Sequence, residues 1–154
     1  MSPTAAPGRP GFTDGLDRHR REARWGVGLL SWALVVLGVG GLMVTGLHDP
    51  TSPDPTGTFL GVHVNPAQNL LHLVAGVGGL AAARSTGGAR VAAIVDAAWA
   101  FGVLLYGMNV DGNVLALDET GNWLHVAVLA VSLWLVAAAT SVLEHRPRTR
   151  TGGE

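Results

Sequence analysis

Cysteine and lysine are both absent from this 154-residue sequence, and charged residues make up only 14% of it. Without cysteine, the chain can form no disulfide, no thiolate metal site and no cysteine nucleophile. Because charge is scarce and hydrophobic residues reach 48%, the composition predicts long apolar runs rather than helices with one polar face. Every basic residue is arginine, and alanine, glycine and valine are abundant, which indicates a bacterial genome rich in G and C.

Four apolar segments have the character of membrane-spanning helices. The first, from Trp25 to Leu47, is uncharged, and its length suits a hydrocarbon core of about 30 Å. The second begins with Asn65, a good capping residue, and Pro66, which fits the first helical position. The sequence therefore predicts an all-α integral membrane four-helix bundle within residues 25–143. The predicted spans are residues 25–47, 66–83, 89–108 and 118–143.

Arginine is distributed unevenly among the segments that join these spans. All the arginines lie in the N-terminal region, the connection after the second span, or the C-terminal tail, whereas the loops 48–63 and 109–121 contain none. Arginine-rich segments stay on the cytoplasmic side of a membrane. We therefore expect both termini in the cytoplasm and these two loops outside a bacterial cytoplasmic membrane. The basic face should lie against anionic lipid headgroups.

Two tails flank the predicted membrane domain. Residues 1–24 begin with a proline- and glycine-rich stretch, which predicts disorder, and end with the basic segment Leu16–Arg24, which predicts a short helix beside the membrane. Residues 144–154 should form a second cytoplasmic tail. The paired Arg20 and Arg21 do not indicate an export signal, because the apolar run after them is too long and no small-residue cleavage site ends it.

An Asn–His pair occurs near the start of two predicted spans. In the second span Asn69 precedes His72, in the fourth Asn122 precedes His125, and similar apolar residues follow each pair. Residues three apart lie on one face of a helix, so each pair forms a polar face near the outer surface. The alignment favours a 2+2 internal repeat about an axis along the membrane normal, with both histidines at one depth and facing the interior.

The residues around these pairs resemble a known family. The openings N-P-x-x-N-L-x-H-L and D-x-x-x-N-W-L-H are similar to those of small four-span bacterial membrane proteins, grouped as domain-of-unknown-function family 4383, over roughly Trp25 to Leu143. The resemblance implies a four-span topology and assigns no chemistry. The candidate site residues that match its motifs are Asn65, Asn69, His72, Asn113, Asp118, Asn122 and His125.

The two Asn–His pairs have three interpretations. As clamps they would hydrogen-bond neighbouring helices, each bond contributing roughly 0.6–2 kcal/mol. Alternatively they would bind an ion or solute, or the two histidines would ligate a haem, although a porphyrin so near the outer end would be partly exposed. A zinc or copper site would need further ligands, which His48 and His63 could supply. We expect no cofactor and no metal.

Asp96 is the one acidic residue inside the third predicted span, about 10 Å along its helix at 1.5 Å per residue. An unpaired carboxylate at that depth costs at most about 2.5–3.5 kcal/mol. We therefore expect a structural acid with a partner among the nearest donors, namely Arg84, Arg90, Trp32 and Trp99. A proton relay through Asp96 is the alternative.

The sequence contains no nucleophile–base pair and no phosphate-binding loop, which indicates a protein that is not an enzyme. The leading hypothesis is a structural or accessory membrane component that self-associates and does not bind nucleic acid. Transport of an ion or small solute is the alternative, with an oligomer lining a path with Asp96 and both Asn–His pairs. A haem protein ligated by the two histidines is a third hypothesis.

Overall fold

Four helices and a short hairpin make up the described part of the chain, which in this computed structural model is residues 10–51, 54, 57–109, 115 and 117–144. The hairpin lies between the first two helices and consists of the antiparallel strands β1, Gly57–Phe59, and β2, Val62–Val64. The predicted tail residues 1–9 and 145–154 lie outside the described residues. The helices are α1, Pro10–Thr45; α2, Pro66–Ala82; α3, Thr86–Asn109; and α4, Glu119–Glu144.

Three helices in the described ranges are long and apolar enough to cross a membrane. These are the segments Arg18–Thr45, Thr86–Asn109 and Glu119–Thr140 of α1, α3 and α4. The predicted helical class is therefore confirmed, and three of the predicted spans overlap these segments. Helix α2 has 17 residues, which is about 25 Å at 1.5 Å per residue. Because this is less than a hydrocarbon core of about 30 Å, its length alone does not make it a span.

Helix α1 begins at Pro10, well before the first predicted span, and it continues without a break to Thr45. The structure thus corrects two predictions. The residues from Pro10 onward are helical and not disordered, and Leu16–Arg24 is part of α1 and not a separate short helix. Proline suits a first helical turn, and no further proline follows until Pro50, so no strong stop signal interrupts the helix. A pair between Arg18 and Glu22, with nitrogen and oxygen 2.8 Å apart, joins successive turns of this extension.

The hairpin lies in a segment that the sequence predicted only as a loop. Leu60 and Gly61 form its turn with φ angles of 52° and 81°, the positive values that a type I′ hairpin turn requires at both positions. The ring of Phe59 fills the space beside Gly40 of α1, where any Cβ would collide with it. The hairpin is thereby fixed over one end of α1. Its paired residues are Gly57 with Val64, Thr58 with His63, and Phe59 with Val62.

Helices α1 and α2 approach each other through glycines. A Cβ on Gly76 would lie 2.7 Å from both the carbonyl oxygen of Ser31 and the backbone nitrogen of Val35. On α1, a Cβ on Gly38 would lie 2.7 Å from the carbonyl oxygen of Asn69. At both positions only a glycine allows the two helices to come this close. In lipid, helices associate through such packing, so this contact is a main source of α1–α2 stability.

Two apolar clusters fill the interior away from the hairpin. Alanines of α3 dominate them, because small side chains allow α3 to lie close to α1 and α4. Large apolar side chains cover the outside instead, with Met43 83% and Val74 70% exposed. Such a surface suits lipid better than water. The clusters comprise Val27, Ala89, Ala92, Ala93 and Leu135 in one, and Leu34, Ala100 and Val128 in the other.

Candidate functional site

His72 of α2 and His125 of α4 meet in the interior of the protein. Their side chains are 1% and 0% exposed, and their rings stack with centroids 5.6 Å apart and an angle of 21° between the planes. Each histidine lies seven residues beyond the residue that caps its helix, Asn65 or Asp118. Both rings therefore face the interior and lie at the same level along the bundle.

Trp99 of α3 completes a cluster of three rings. Its ring centroid is 5.4 Å from that of His72 and 5.3 Å from that of His125, with interplanar angles of 84° and 65°. Edge-to-face contacts of this kind contribute about 0.5–1.5 kcal/mol each beyond the area they bury. We call His72, Trp99 and His125 the ring cluster. Trp99 was predicted only as a donor to Asp96, and the signal for its part in this cluster was its position one helical turn from that acid.

The starts of α2 and α4 are capped in the same way. The side-chain oxygen of Asn65 accepts a hydrogen bond of 2.9 Å from the backbone nitrogen of Gln68, and Asp118 Oδ1 accepts one of 2.7 Å from Gly121. These bonds satisfy backbone donors that a helix start leaves without partners. The other oxygen of Asp118, Oδ2, lies 2.6 Å from His63 Nδ1 and so connects the hairpin to α4.

The two asparagines of the repeated pairs each pack against a glycine of the preceding helix. Asn69 lies against Gly41 of α1, and its Nδ2 donates a 3.2 Å hydrogen bond to Thr45 Oγ1. Asn122 lies against Gly107 of α3, where a Cβ would be 2.5 Å from Asn122 Oδ1. Only Asn69 therefore forms an inter-helix clamp among the described residues. Asn113, the remaining candidate residue, lies outside the described residues.

Among the described residues, the histidines do not form the hydrogen bonds that a clamp requires. His125 Nδ1 donates to the carbonyl oxygen of Gly121 in its own helix at 2.7 Å. His125 Nε2 and both ring nitrogens of His72 have no hydrogen-bond partner in the described part of the chain. The described residues therefore do not support the clamp interpretation of the two histidines, since stacking brings ring faces rather than ring nitrogens together.

Gln68 is a buried polar residue that was not among the candidates predicted from the sequence. It is 1% exposed, and both polar atoms of its amide group lack a partner among the described residues. The available signal was its place in the first turn of α2, directly before Asn69. Buried polar groups are normally hydrogen-bonded to protein or water, so the unpartnered groups of Gln68 and His72 stand out in a mostly apolar interior.

Asp96 lies one helical turn from Trp99, between the two apolar clusters, and is only 3% exposed. Its Oδ2 accepts no hydrogen bond from the described residues. The predicted tether is therefore absent from that part of the chain, because none of the four expected donors reaches this oxygen. A charged carboxylate in such surroundings is costly, which makes Asp96 a candidate for a functional acid.

Comparison with known proteins links the chain to one uncharacterised group. A family model described as "Domain of unknown function (DUF4383)" matches residues 24–139. The match includes the ring cluster, both Asn–His pairs and Asp96. No curated protein and no solved structure matches the chain.

Proposed function

The chain belongs to the family described as a domain of unknown function (DUF4383), and we propose that it is a non-enzymatic, four-span protein of a bacterial cytoplasmic membrane with a structural or accessory role. Its expected partners are the bilayer, anionic lipid headgroups and a second copy of itself. The observation that carries the proposal is the distribution of side chains. Apolar residues cover the outside of the helices, whereas His72, His125 and Gln68 are buried at the centre.

The fourth span in this proposal is α2. Its outward side chains Leu70 and Val74 are apolar and exposed, and its opposite face packs on α1 through Gly76. Its polar first turn would begin in the headgroup region. The connection at its other end would complete the crossing of the hydrocarbon core, so a helix of fewer residues than the other spans suffices. At its other end, Arg24 Nε of α1 donates a 2.9 Å hydrogen bond to the carbonyl oxygen of Ala83. This contact brings the arginine-rich part of α1 to the α2–α3 connection, in support of a cytoplasmic location for both.

The proposed 2+2 repeat pairs α1–α2 with α3–α4. Two features support it beyond the sequence alignment. In each half an asparagine, Asn69 or Asn122, packs on a glycine of the preceding helix. In each half a capped helix also brings a histidine to the same central stack. An axis along the membrane normal would pass between His72 and His125.

Transport of protons or a small cation is the second candidate function. The unpartnered polar atoms of Gln68, His72 and Asp96 favour it, because a path for such a solute needs groups that are not already bonded to one another.

Proton flux into proteoliposomes separates the two candidates. With a structural role, vesicles containing the wild-type chain should acidify no faster than protein-free vesicles under the same pH gradient. As controls, D96N removes the buried acid and E119Q removes an exposed one at the start of α4. A wild-type flux that D96N abolishes and E119Q retains would replace the structural proposal with the transport function, provided that both variants keep their helix content by circular dichroism.

A further inference from the structure

A groove of about 480 Å³ lies between α1 and the end of α2 that is farthest from the hairpin. Arg21, Arg24 and Arg84 line its basic end, and Trp25 and Trp32 are among the apolar residues that line the remainder. From Arg21 to Trp32 the groove follows α1 for about 16 Å at 1.5 Å per residue. It therefore changes from strongly cationic to apolar along its length. We call it the basic groove.

The arginines of the basic groove have no acidic counterpart within it. No aspartate or glutamate is among its described lining residues. Arg24 is held in place through its Nε by the carbonyl oxygen of Ala83, which leaves its two terminal nitrogens for another group. Neither Arg21 nor Arg84 has an ion-pair or hydrogen-bond partner within the described ranges. The nearby Glu22 pairs instead with Arg18 and His19.

We propose that the basic groove is a binding site for an anionic phospholipid. The phosphate would lie among the three arginines. A guanidinium group can donate two parallel hydrogen bonds to the oxygen atoms of a phosphate. One acyl chain would follow the apolar wall past Trp25 to Trp32. Both tryptophans are exposed. Trp25 adjoins the basic end, as expected for a residue at the boundary between headgroups and hydrocarbon, whereas Trp32 lies farther along the apolar wall. A free phosphate ion would use only the arginines and leave this apolar wall uncovered.

This proposal is more specific than a general attraction between arginines and an anionic membrane. A diffuse attraction would depend on the number of arginines near the surface, whatever their positions. A built site depends on the arginines that line the groove and not on their neighbours in the same helix. Arg18 and Arg20 also belong to α1 but do not line the groove, so they provide a matched control.

Quenching of tryptophan fluorescence by brominated lipid tests the site. The full-length protein is reconstituted into phosphatidylcholine vesicles that contain a minor, equal fraction of acyl-brominated phosphatidylglycerol or acyl-brominated phosphatidylcholine. We expect stronger quenching by the brominated phosphatidylglycerol than by the brominated phosphatidylcholine. The W32F variant should lose most of this difference in quenching between the two lipids. In R21Q/R84Q, which retains the Arg24–Ala83 hydrogen bond, the preference for the anionic lipid should fall at least roughly fivefold. In R18Q/R20Q it should persist.

Three results would overturn the proposal. Equal quenching by the two brominated lipids would show that the groove does not select an anionic headgroup. An equal loss of preference in R18Q/R20Q and R21Q/R84Q would indicate diffuse surface attraction. Release of the brominated phosphatidylglycerol by added inorganic phosphate, with W32F unchanged from the wild type, would identify a phosphate-ion site instead. Circular dichroism of each variant checks its fold, and the W32F comparison does not depend on the arginine variants.

Discussion

Replacing His72 by alanine should lower the free energy of unfolding in detergent by about 2–4 kcal/mol, as expected when a large buried side chain is removed and its cavity persists. The substitution removes the stack with His125 and the edge contact with Trp99 together. Thermal unfolding followed by circular dichroism, or unfolding by sodium dodecyl sulfate, measures the change.

Two further variants at the same position identify what His72 contributes. H72F preserves an aromatic ring of similar size and removes two unpartnered nitrogens, so its stability should stay within about 1.5 kcal/mol of the wild type. Under the clamp interpretation, glutamine would recover most of the loss by hydrogen bonding. We expect no such recovery, because His72 has no hydrogen-bond partner in the described residues for glutamine to retain. Recovery by H72Q and not by H72F would show that ring packing is the wrong account.

Replacing Gly76 by leucine should destabilise the protein by about 2–3 kcal/mol through overpacking. Its Cβ would meet the backbone of α1 at Ser31 and Val35, and backbone atoms cannot rotate out of the way as the end of a flexible side chain can. Helices α1 and α2 would have to separate, which sacrifices the packing that joins them in lipid. The same unfolding measurements in detergent give the size of the effect.

Gly78 provides the matched control for Gly76. It lies two residues further along α2, and a Cβ there would meet nothing within 4 Å. G78L should therefore change the free energy of unfolding by no more than about 0.5 kcal/mol. Similar losses in G76L and G78L would mean that leucine disturbs α2 itself and that the close approach of α1 is not the cause.

The helices were largely predictable because their signals are local. Asn65 followed by Pro66 marks a helix start in the sequence, and the structure begins α2 at Pro66 with Asn65 as its cap. The hairpin was not predictable in this way. Its strands have three residues each, and Phe59 is held in place by a gap beside Gly40 that exists only after folding.

The sequence predicted the level at which the two histidines lie along the bundle, but not the groups that they contact. The repeat placed His72 and His125 at one level because each follows its helix start by the same number of residues. Which groups surround them depends on how each helix is rotated about its axis, and an apolar segment with few polar residues hardly encodes that rotation. Trp99 and Gln68 therefore entered the site only with the structure, and the missing hydrogen bonds of His72 also became visible only there.

The central claim is that α2 crosses the membrane, and single-cysteine labelling of the full-length chain tests it most directly. Because the protein has no cysteine, each introduced thiol is unique. Thr58 in the hairpin and Gly87 at the start of α3 are both exposed and lie on either side of α2. Leu133, exposed in the middle of α4, is the control, since L133C should resist a water-soluble maleimide throughout.

We predict that T58C reacts with impermeant maleimide in intact cells and that G87C reacts only after permeabilisation. Reaction of both from the same side would contradict the four-span account.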